Sequence, residues 1–411
     1  MPLYRLLVSL FALVVAVGAL RKGGWPMLSA RLGLIAPEKD APHVWWHGAS
    51  NGELSSARPV LTRIVQQRPD LHVLVTCNSD TGQALVTGWG LPRVTALPAP
   101  VDLSRVTARV LRRWRVVAHV ALESEIWPHR FLQCRGPVIL LGARMRPGTA
   151  RVWRTLPRLA RRVLSCCTLV SAQDAASLDR LRALGLPENA IGPLTDLKAL
   201  YDPAAAPMPD AALQAALPRA QTWLAASTHE GEEETVLEAH RLARAEQSDL
   251  RLILAPRHAA RGDAVEAMVR GAGLGVARRS RGEAPGAAAV YLADTMGEMA
   301  LWYRLAGRVF IGGTLTDRGG HTPYEPAAFG SALIHGPDVA NFADPFARLD
   351  AADAALRVTD AAELAEALAR LAQPESQAQA GARAAEALRT GTDVETLCNL
   401  VLETLPAFRE T

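Results

Sequence analysis

Lysine is nearly missing from this sequence. Among 411 residues it occurs only at Lys22, Lys39 and Lys198, and arginine supplies the rest of the 45 basic side chains. These are almost balanced by 41 acidic residues, for a net charge of +4. Bulk charge therefore excludes a general nucleic-acid binder, and local basic patches carry more meaning. Cysteine is also scarce. Five residues (Cys77, Cys134, Cys166, Cys167 and Cys398) form no CxxC pair and are odd in number. That excludes a disulfide framework and a zinc site, and it suits a reduced, cytosol-facing protein. Disorder is excluded by 49% hydrophobic and 21% charged residues.

What is present first is an apolar run, LLVSLFALVVAVGAL, from Leu6 to Leu20, flanked by Arg5, Arg21 and Lys22. Its length falls short of the roughly 20 residues that span a bilayer comfortably. The readings open to it are an uncleaved anchor, a cleaved signal with a poor cleavage site, and a buried core helix. The basic pair after the run favours an anchor over residues 1–22 with the rest of the chain cytoplasmic.

Beyond the anchor, short apolar β-branched runs alternate with helical patterns. HVWWHGA, LHVLVTCN, RVVAHVALES, GPVILLGAR and TLVSAQD read as strands. The Pro- and Ala-rich stretch 201–213 reads as a linker, after which the alternation restarts with TWLAAST, LRLILAPRH, AVYLAD, RVFIGG and SALIHGP. This pattern predicts an α/β protein of two Rossmann-like domains facing a cleft, over 36–200 and 214–411. Ligands in such sheets bind outside the carboxyl ends of the strands.

The notable side chains fall there. In HGASNGELSSA, Ser50 is a candidate N-cap, and Glu53 reads either as a general base or as an acid in a helix's first turn. In ALESEIWPH, Glu123 and Glu125 follow a strand directly, where they would orient a hydroxyl, stabilise positive charge or favour a helix start. AASTHEGEEETV offers caps at Ser227 and Thr228 and a helix N-terminus that suits an anion. Pro256, Arg257 and His258 end another strand, and arginine's planar fork matches phosphate. ADTMGEM puts Thr295, Met296, Gly297 and Glu298 at the next turn. In RVFIGGTLTDRGGHTPYEPAAFG, the N–H groups around Gly312, Gly313, Gly319 and Gly320 are expected to form an anion nest. Pro323 is expected at the first helical position, with Glu325 presenting oxygens to a ribose diol. Together these point to a nucleotide-sugar glycosyltransferase. No DxD-like motif stands out, so no metal or other cofactor is expected, and arginine, backbone N–H groups and helix dipoles would meet the leaving phosphate.

The blocks HGASNGE, LESEIWP, PRHAAR, DTMGEM and GGHTPYEPAAFG, in this order behind an anchor, resemble the 3-deoxy-D-manno-octulosonic acid (Kdo) transferases of lipopolysaccharide synthesis. The resemblance spans nearly the whole chain. It implies the two-domain GT-B fold and inverting transfer of Kdo from CMP-Kdo to the 6′-hydroxyl of a lipid A precursor at the cytoplasmic face of the inner membrane. It implies Glu53 as the base and Glu123 as the acid that stabilises the transition state. It further implies Pro256, Arg257, Met296, Gly297, Glu298, Thr322, Pro323, Tyr324 and Glu325 as CMP contacts. The chain departs from the family pattern at Thr322, where Asn is usual, at Gly142, also usually Asn, and at Thr195, which occupies the place of a Lys. Lys198, three residues on, or an arginine would then supply that charge. The stretch Arg144–Arg162 carries seven arginines with interleaved Trp153, Leu156 and Leu159. It reads as a solvated helix face or as a contact with anionic inner-membrane lipid. Rival readings are another nucleotide-sugar enzyme, such as a UDP-sugar epimerase, and an inactive membrane-anchored lipid-binding relative.

Overall fold

The computed structural model describes residues 2–389 and 391–407, which divide into two compact units. The first comprises residues up to Leu200 together with the C-terminal segment after Thr390; the second runs from Tyr201 to Arg389. In the first unit, six parallel strands stand in the order β3-β2-β1-β4-β5-β6: β1 His43–His47, β2 His72–Cys77, β3 Val94–Pro98, β4 Val116–Leu122, β5 Val138–Ala143 and β6 Cys167–Ala172. Every residue of β1 and β5 is buried, as expected of strands covered on both faces. The order reverses between β1 and β4, which pair directly, with His47 opposite Ala121. The chain therefore leaves this pair in opposite lateral directions and opens a crevice beyond His47 and Leu122.

The second unit repeats the plan with seven parallel strands in the order β13-β12-β11-β7-β8-β10-β9. They are β7 Thr222–Thr228, β8 Arg251–Pro256, β9 Val276–Arg278, β10 Val290–Leu292, β11 Arg308–Ile311, β12 Ala332–His335 and β13 Ala355–Arg357. Its reversal lies between β7 and β11, with Ala226 opposite Ile311.

The N-terminal apolar run forms helix α1 (Pro2–Arg31), broken at Gly24, which takes φ 60° and ψ −150°. It is long and apolar enough to cross a membrane. One face nevertheless packs on the first unit: Val8 and Ala12 are buried, Ala12 against Val101 and Val106, and the Tyr4 hydroxyl donates to Asp102 at 2.5 Å. The other face leaves Leu7, Leu10, Phe11 and Val14 exposed. Helix α2 (Asn51–Gln67) follows β1 and buries Leu54, Ala57, Leu61, Ile64 and Val65, the spacing of a single helical face.

The expected extent of the C-terminal domain, to residue 411, needs correction. The helix Val394–Thr404 buries Leu397, Cys398 and Val401 in the same core as Leu54 and Leu61 of α2, so the chain returns to its first unit. Leu397→Ala is expected to cost about 3 kcal/mol through the cavity it leaves, measured by chemical denaturation of the full chain. An unchanged midpoint would contradict this docking.

Candidate active site

The β1–β4 crevice gathers three carboxylates. Ser50 caps α2 by accepting the N–H of Glu53 at 3.3 Å, and the Glu53 carboxylate turns back to accept the N–H of Ala49 at 2.8 Å and the Ser50 hydroxyl at 3.1 Å. This reciprocal cap fixes the side chain over the strand end. Burial, and then the negative charges of Glu123 and Glu125, push the Glu53 carboxyl up to about 7. Glu53 thus stands in the first turn of the helix, as one sequence reading has it, with its carboxyl raised to about 7.

Glu123 sits directly after β4 at φ 46°, a left-handed conformation that is strained for a residue with a Cβ. Backbone bonds to β5 hold it there: its N–H donates to Leu141 and its carbonyl accepts from Arg144. Lys198 reaches the Glu123 carboxylate at 3.5 Å. Thr195, by contrast, is fully buried, with no hydrogen-bond partner for its hydroxyl among the described residues. Asp196 accepts the N–H of Lys198 at 3.0 Å and turns the chain so that the lysine, three residues beyond the expected place, projects toward Glu123. Gly142, where Asn was expected, takes φ 60°, a conformation Asn also tolerates.

Glu125 has a different environment. It accepts from His47 Nε2 at 2.9 Å and from Trp127 Nε1 at 2.7 Å. Burial and the nearby Arg130 push His47 down to about 4, so the imidazole is neutral, and its contact with Glu125 is a hydrogen bond from Nε2–H. The other ring nitrogen lies 2.9 Å from the Thr76 carbonyl and 3.0 Å from the Thr76 hydroxyl, which itself accepts from Trp45 Nε1. Burial alone would raise the Glu125 carboxyl, but its two donors hold it below the ordinary carboxylate range. Glu125 is therefore a fixed anion beside Glu53.

In the second unit, the β7–β11 crevice gathers histidines and arginines. His229 follows β7 and His321 ends the loop after β11. Their Nε2 atoms lie 2.9 Å apart, with the rings stacked 4° from parallel. Burial and the neighbouring His229, Arg257 and His258 push His321 down to about 4. Arg257 and His258 are exposed at the end of β8. The sequence reading missed His229 and His321 as site residues, although His229 stands immediately after β7 and His321 lies in the loop after β11, the two strands that flank the reversal.

The anion nest expected at the glycines is not open. Glu232, fully buried, accepts the N–H groups of His229 at 2.9 Å, Gly313 at 2.7 Å, and Thr314 and Leu315 at 3.0 Å each. Gly319 donates to Asp338, and Gly320 donates to the Gly313 carbonyl. The protein's own carboxylate already fills the cradle. Glycine is needed at Gly312 because a Cβ there would lie 2.5 Å from the Ser227 carbonyl.

The remaining expected donor contacts line the same ends. Pro256 is the last residue of β8. Met296 and Gly297 are exposed on the turn after β10, while the Glu298 carboxylate is held by Arg279 at 2.6 Å and by Thr295. Thr322 accepts the Tyr324 N–H at 3.4 Å. Pro323 is the N-cap and not the first helical residue, so the helix is Tyr324–Ala328 with the half-buried Glu325 in its first turn.

Residues 27–200 match the family described as 3-deoxy-D-manno-octulosonic-acid transferase (kdotransferase). The chain is 33% identical over 400 residues to 3-deoxy-D-manno-octulosonic acid transferase from Bordetella pertussis, covering 90% of each. It is 30% identical over 335 residues to that of Haemophilus influenzae, covering 79% of this chain and 77% of the other. Among solved structures it is similar in fold to Anabaena Alr3699/HepE in complex with UDP and glucose, at TM-score 0.53, 13% identity and coverage of 88% and 98%. It is likewise similar to a glycosyltransferase from Rickettsia africae, at TM-score 0.56, 10% identity and coverage of 89% and 98%.

Replacing Glu232 by Gln would set an N–H2 group against a cluster of donors. The loss is expected to be on the order of 3 kcal/mol, read from denaturant unfolding. A variant as stable as the parent would show that the loop does not depend on this carboxylate.

Proposed function

The chain belongs to the family of 3-deoxy-D-manno-octulosonic acid (Kdo) transferases and is a glycosyltransferase; from that membership we propose that it moves Kdo from CMP-Kdo to the 6′-hydroxyl of a lipid A precursor, with inversion. The observation that carries the mechanism is the proton affinity of Glu53. A carboxyl near 7 is matched to taking a hydroxyl proton at neutral pH. The acceptor oxygen attacks C2 of Kdo and its proton passes to Glu53. The bond from C2 to the phosphate oxygen breaks, and its electron pair leaves with CMP. Positive charge that develops on the sugar meets Glu123, and Lys198 is the cation that takes the place left by Thr195.

The second unit holds CMP in this reading. Arg257 meets the phosphate, and Pro256, Met296, Gly297, Glu298, Thr322, Pro323 and Tyr324 contact the nucleotide, with Glu325 on its ribose. His229 and His321 stand beside Arg257 at that end of the β7–β11 crevice as neutral imidazoles, and Arg257 supplies the positive charge. No metal takes part; fixed cations and dipoles serve the leaving group.

The chain works at the cytoplasmic face of the inner membrane, held by α1. The exposed apolar face of α1 supports this, as do two short helices, Pro147–Arg154 and Pro157–Leu164, that replace the single basic helix of the sequence. Arg154, Arg158 and Arg161 are exposed, and among the described residues none has a carboxylate within ion-pair distance. Val152, also exposed, stands among them. Such a surface attracts anionic lipid.

Three outcomes are expected. Glu53→Gln should lower Kdo transfer by roughly 100-fold or more, the contribution of a general base, with the product resolved by mass; a fully active variant removes Glu53 from the mechanism. For the parent enzyme, kcat/KM should rise with pH and level off above about 7, because the base must lose its proton; a profile flat from pH 5 to 8 would contradict this. Neutralising Arg154, Arg158 and Arg161 together should weaken sedimentation with anionic vesicles and leave CMP affinity intact; equal loss of both would sink the membrane assignment.

A further inference from the structure

Helix α1 covers a pocket that the transfer chemistry leaves unused. It has a volume of about 230 Å³, and its apolar wall comes from Phe11, Val15, Val101 and Trp127. Its polar end comes from two guanidinium groups, Arg31 and Arg130, with Asn78 and Asp102 beside them. Phe11 stacks on Trp127 at 6.4 Å yet is 51% exposed, so the pocket's rim is continuous with the apolar outer face of α1.

The charge at the other end is balanced only in part. Arg31 donates to the carbonyls of Ala99 and Asn78, each at 2.8 Å, and among the described residues no carboxylate lies within ion-pair distance of it. Arg130 is 2% exposed and lies between the rings of Trp45 and Trp127, at 5.1 and 5.3 Å. Its Nη2 donates to Pro100, but among the described residues Nε and Nη1 have no hydrogen-bond partner. Its ion-pair partner, Asp102, stands 3.9 Å from Nε, and the charge of Glu125 also reaches it. The Asp102 oxygens already accept from Tyr4 and from the N–H groups of His129 and Arg130. Buried donors left unfilled are costly, and a guanidinium is matched best by an oxyanion.

We infer that this pocket binds a phosphate group carried by a lipid. A free phosphate would leave the apolar rim unused, and an acyl chain alone would leave the two cations unmatched. A phosphate with acyl chains running out along α1 satisfies both ends. The lipid is either the acceptor or a phospholipid of the bilayer. The inference rests on the membrane part of the proposed function and not on the chemistry of Glu53.

The test is calorimetry on the full chain in non-ionic detergent. Dihexanoyl phosphatidic acid is expected to bind at one site per chain, about tenfold or more tighter than inorganic phosphate or dihexanoylglycerol. Arg31→Gln should weaken it by about tenfold or more, the size of a lost charge-assisted contact, with melting temperature and CMP affinity unchanged. Phe11→Ser, on the exposed rim, should weaken the lipid and leave inorganic phosphate as it was. Inorganic phosphate bound as tightly as the lipid, dihexanoylglycerol bound as tightly, or an Arg31→Gln protein that binds like the parent would each overturn the inference. If the KM for the lipid acceptor rises in Arg31→Gln at constant kcat, the phosphate is the acceptor's. If KM holds while phosphatidic acid binding is lost, it belongs to a bilayer lipid. A protein that binds phosphatidic acid but transfers no Kdo would instead refute the proposed reaction alone.

Discussion

Three carboxylates held at the end of one pair of strands cannot all be left to their own ionisation. Like charges in a desolvated crevice disfavour one another, and the proton goes to the group with the least support. Glu125 has two fixed donors, His47 and Trp127, and stays anionic. Glu123 has Lys198. Glu53 has only its cap contacts at Ala49 and Ser50, and it keeps the proton up to about 7. The division of roles among three identical side chains thus follows from which neighbours each was given. The buried His47, held between Thr76 and Glu125, is part of that device, because it fixes the Glu125 carboxylate from one side.

Sheet topology decides where the device can stand. Both sheets reverse their strand order once, between β1 and β4 and between β7 and β11. Each reversal parts two loops and leaves room above the strand ends. In the first unit the room is lined by acids, and in the second by His229, His321 and Arg257. Two of the positive-φ residues other than glycine stand at these places, Glu123 after β4 and Ser227 near the end of β7. At Glu123 the bonds to Leu141 and Arg144 hold the conformation, and at Ser227 the chain bulges between residues paired on either side.

Much of this was legible in the chain. Fully buried parallel strands read as apolar runs, and residues directly after such runs must lie at the carboxyl edge, so Glu53, Glu123 and Arg257 could be placed from order alone. Edge strands were not legible: β3, β9 and β13 are short or half-buried and lack a sustained apolar run. Long-range returns were not legible either. Nothing local in Val394–Thr404 says that its apolar face belongs on α2. The glycine-rich loop misled because its backbone freedom is real, but the acid that fills it, Glu232, sits 81 residues away from Gly313 in the chain. Lys198 was in view only as a lysine three places late. Its approach to Glu123 depends on Asp196 turning the chain, a tertiary fact that spacing does not carry.

The central claim is that Glu53 owes its proton to burial and to two anionic neighbours. Its own titration tests that most directly. Carbon-13 spectra of the glutamate side-chain carboxyls, with Glu53 assigned by its absence in Glu53→Gln, should show it ionising near 7 and at lower pH once Glu123→Gln removes one neighbouring charge. A Glu53 that ionises in the ordinary carboxylate range would contradict the account.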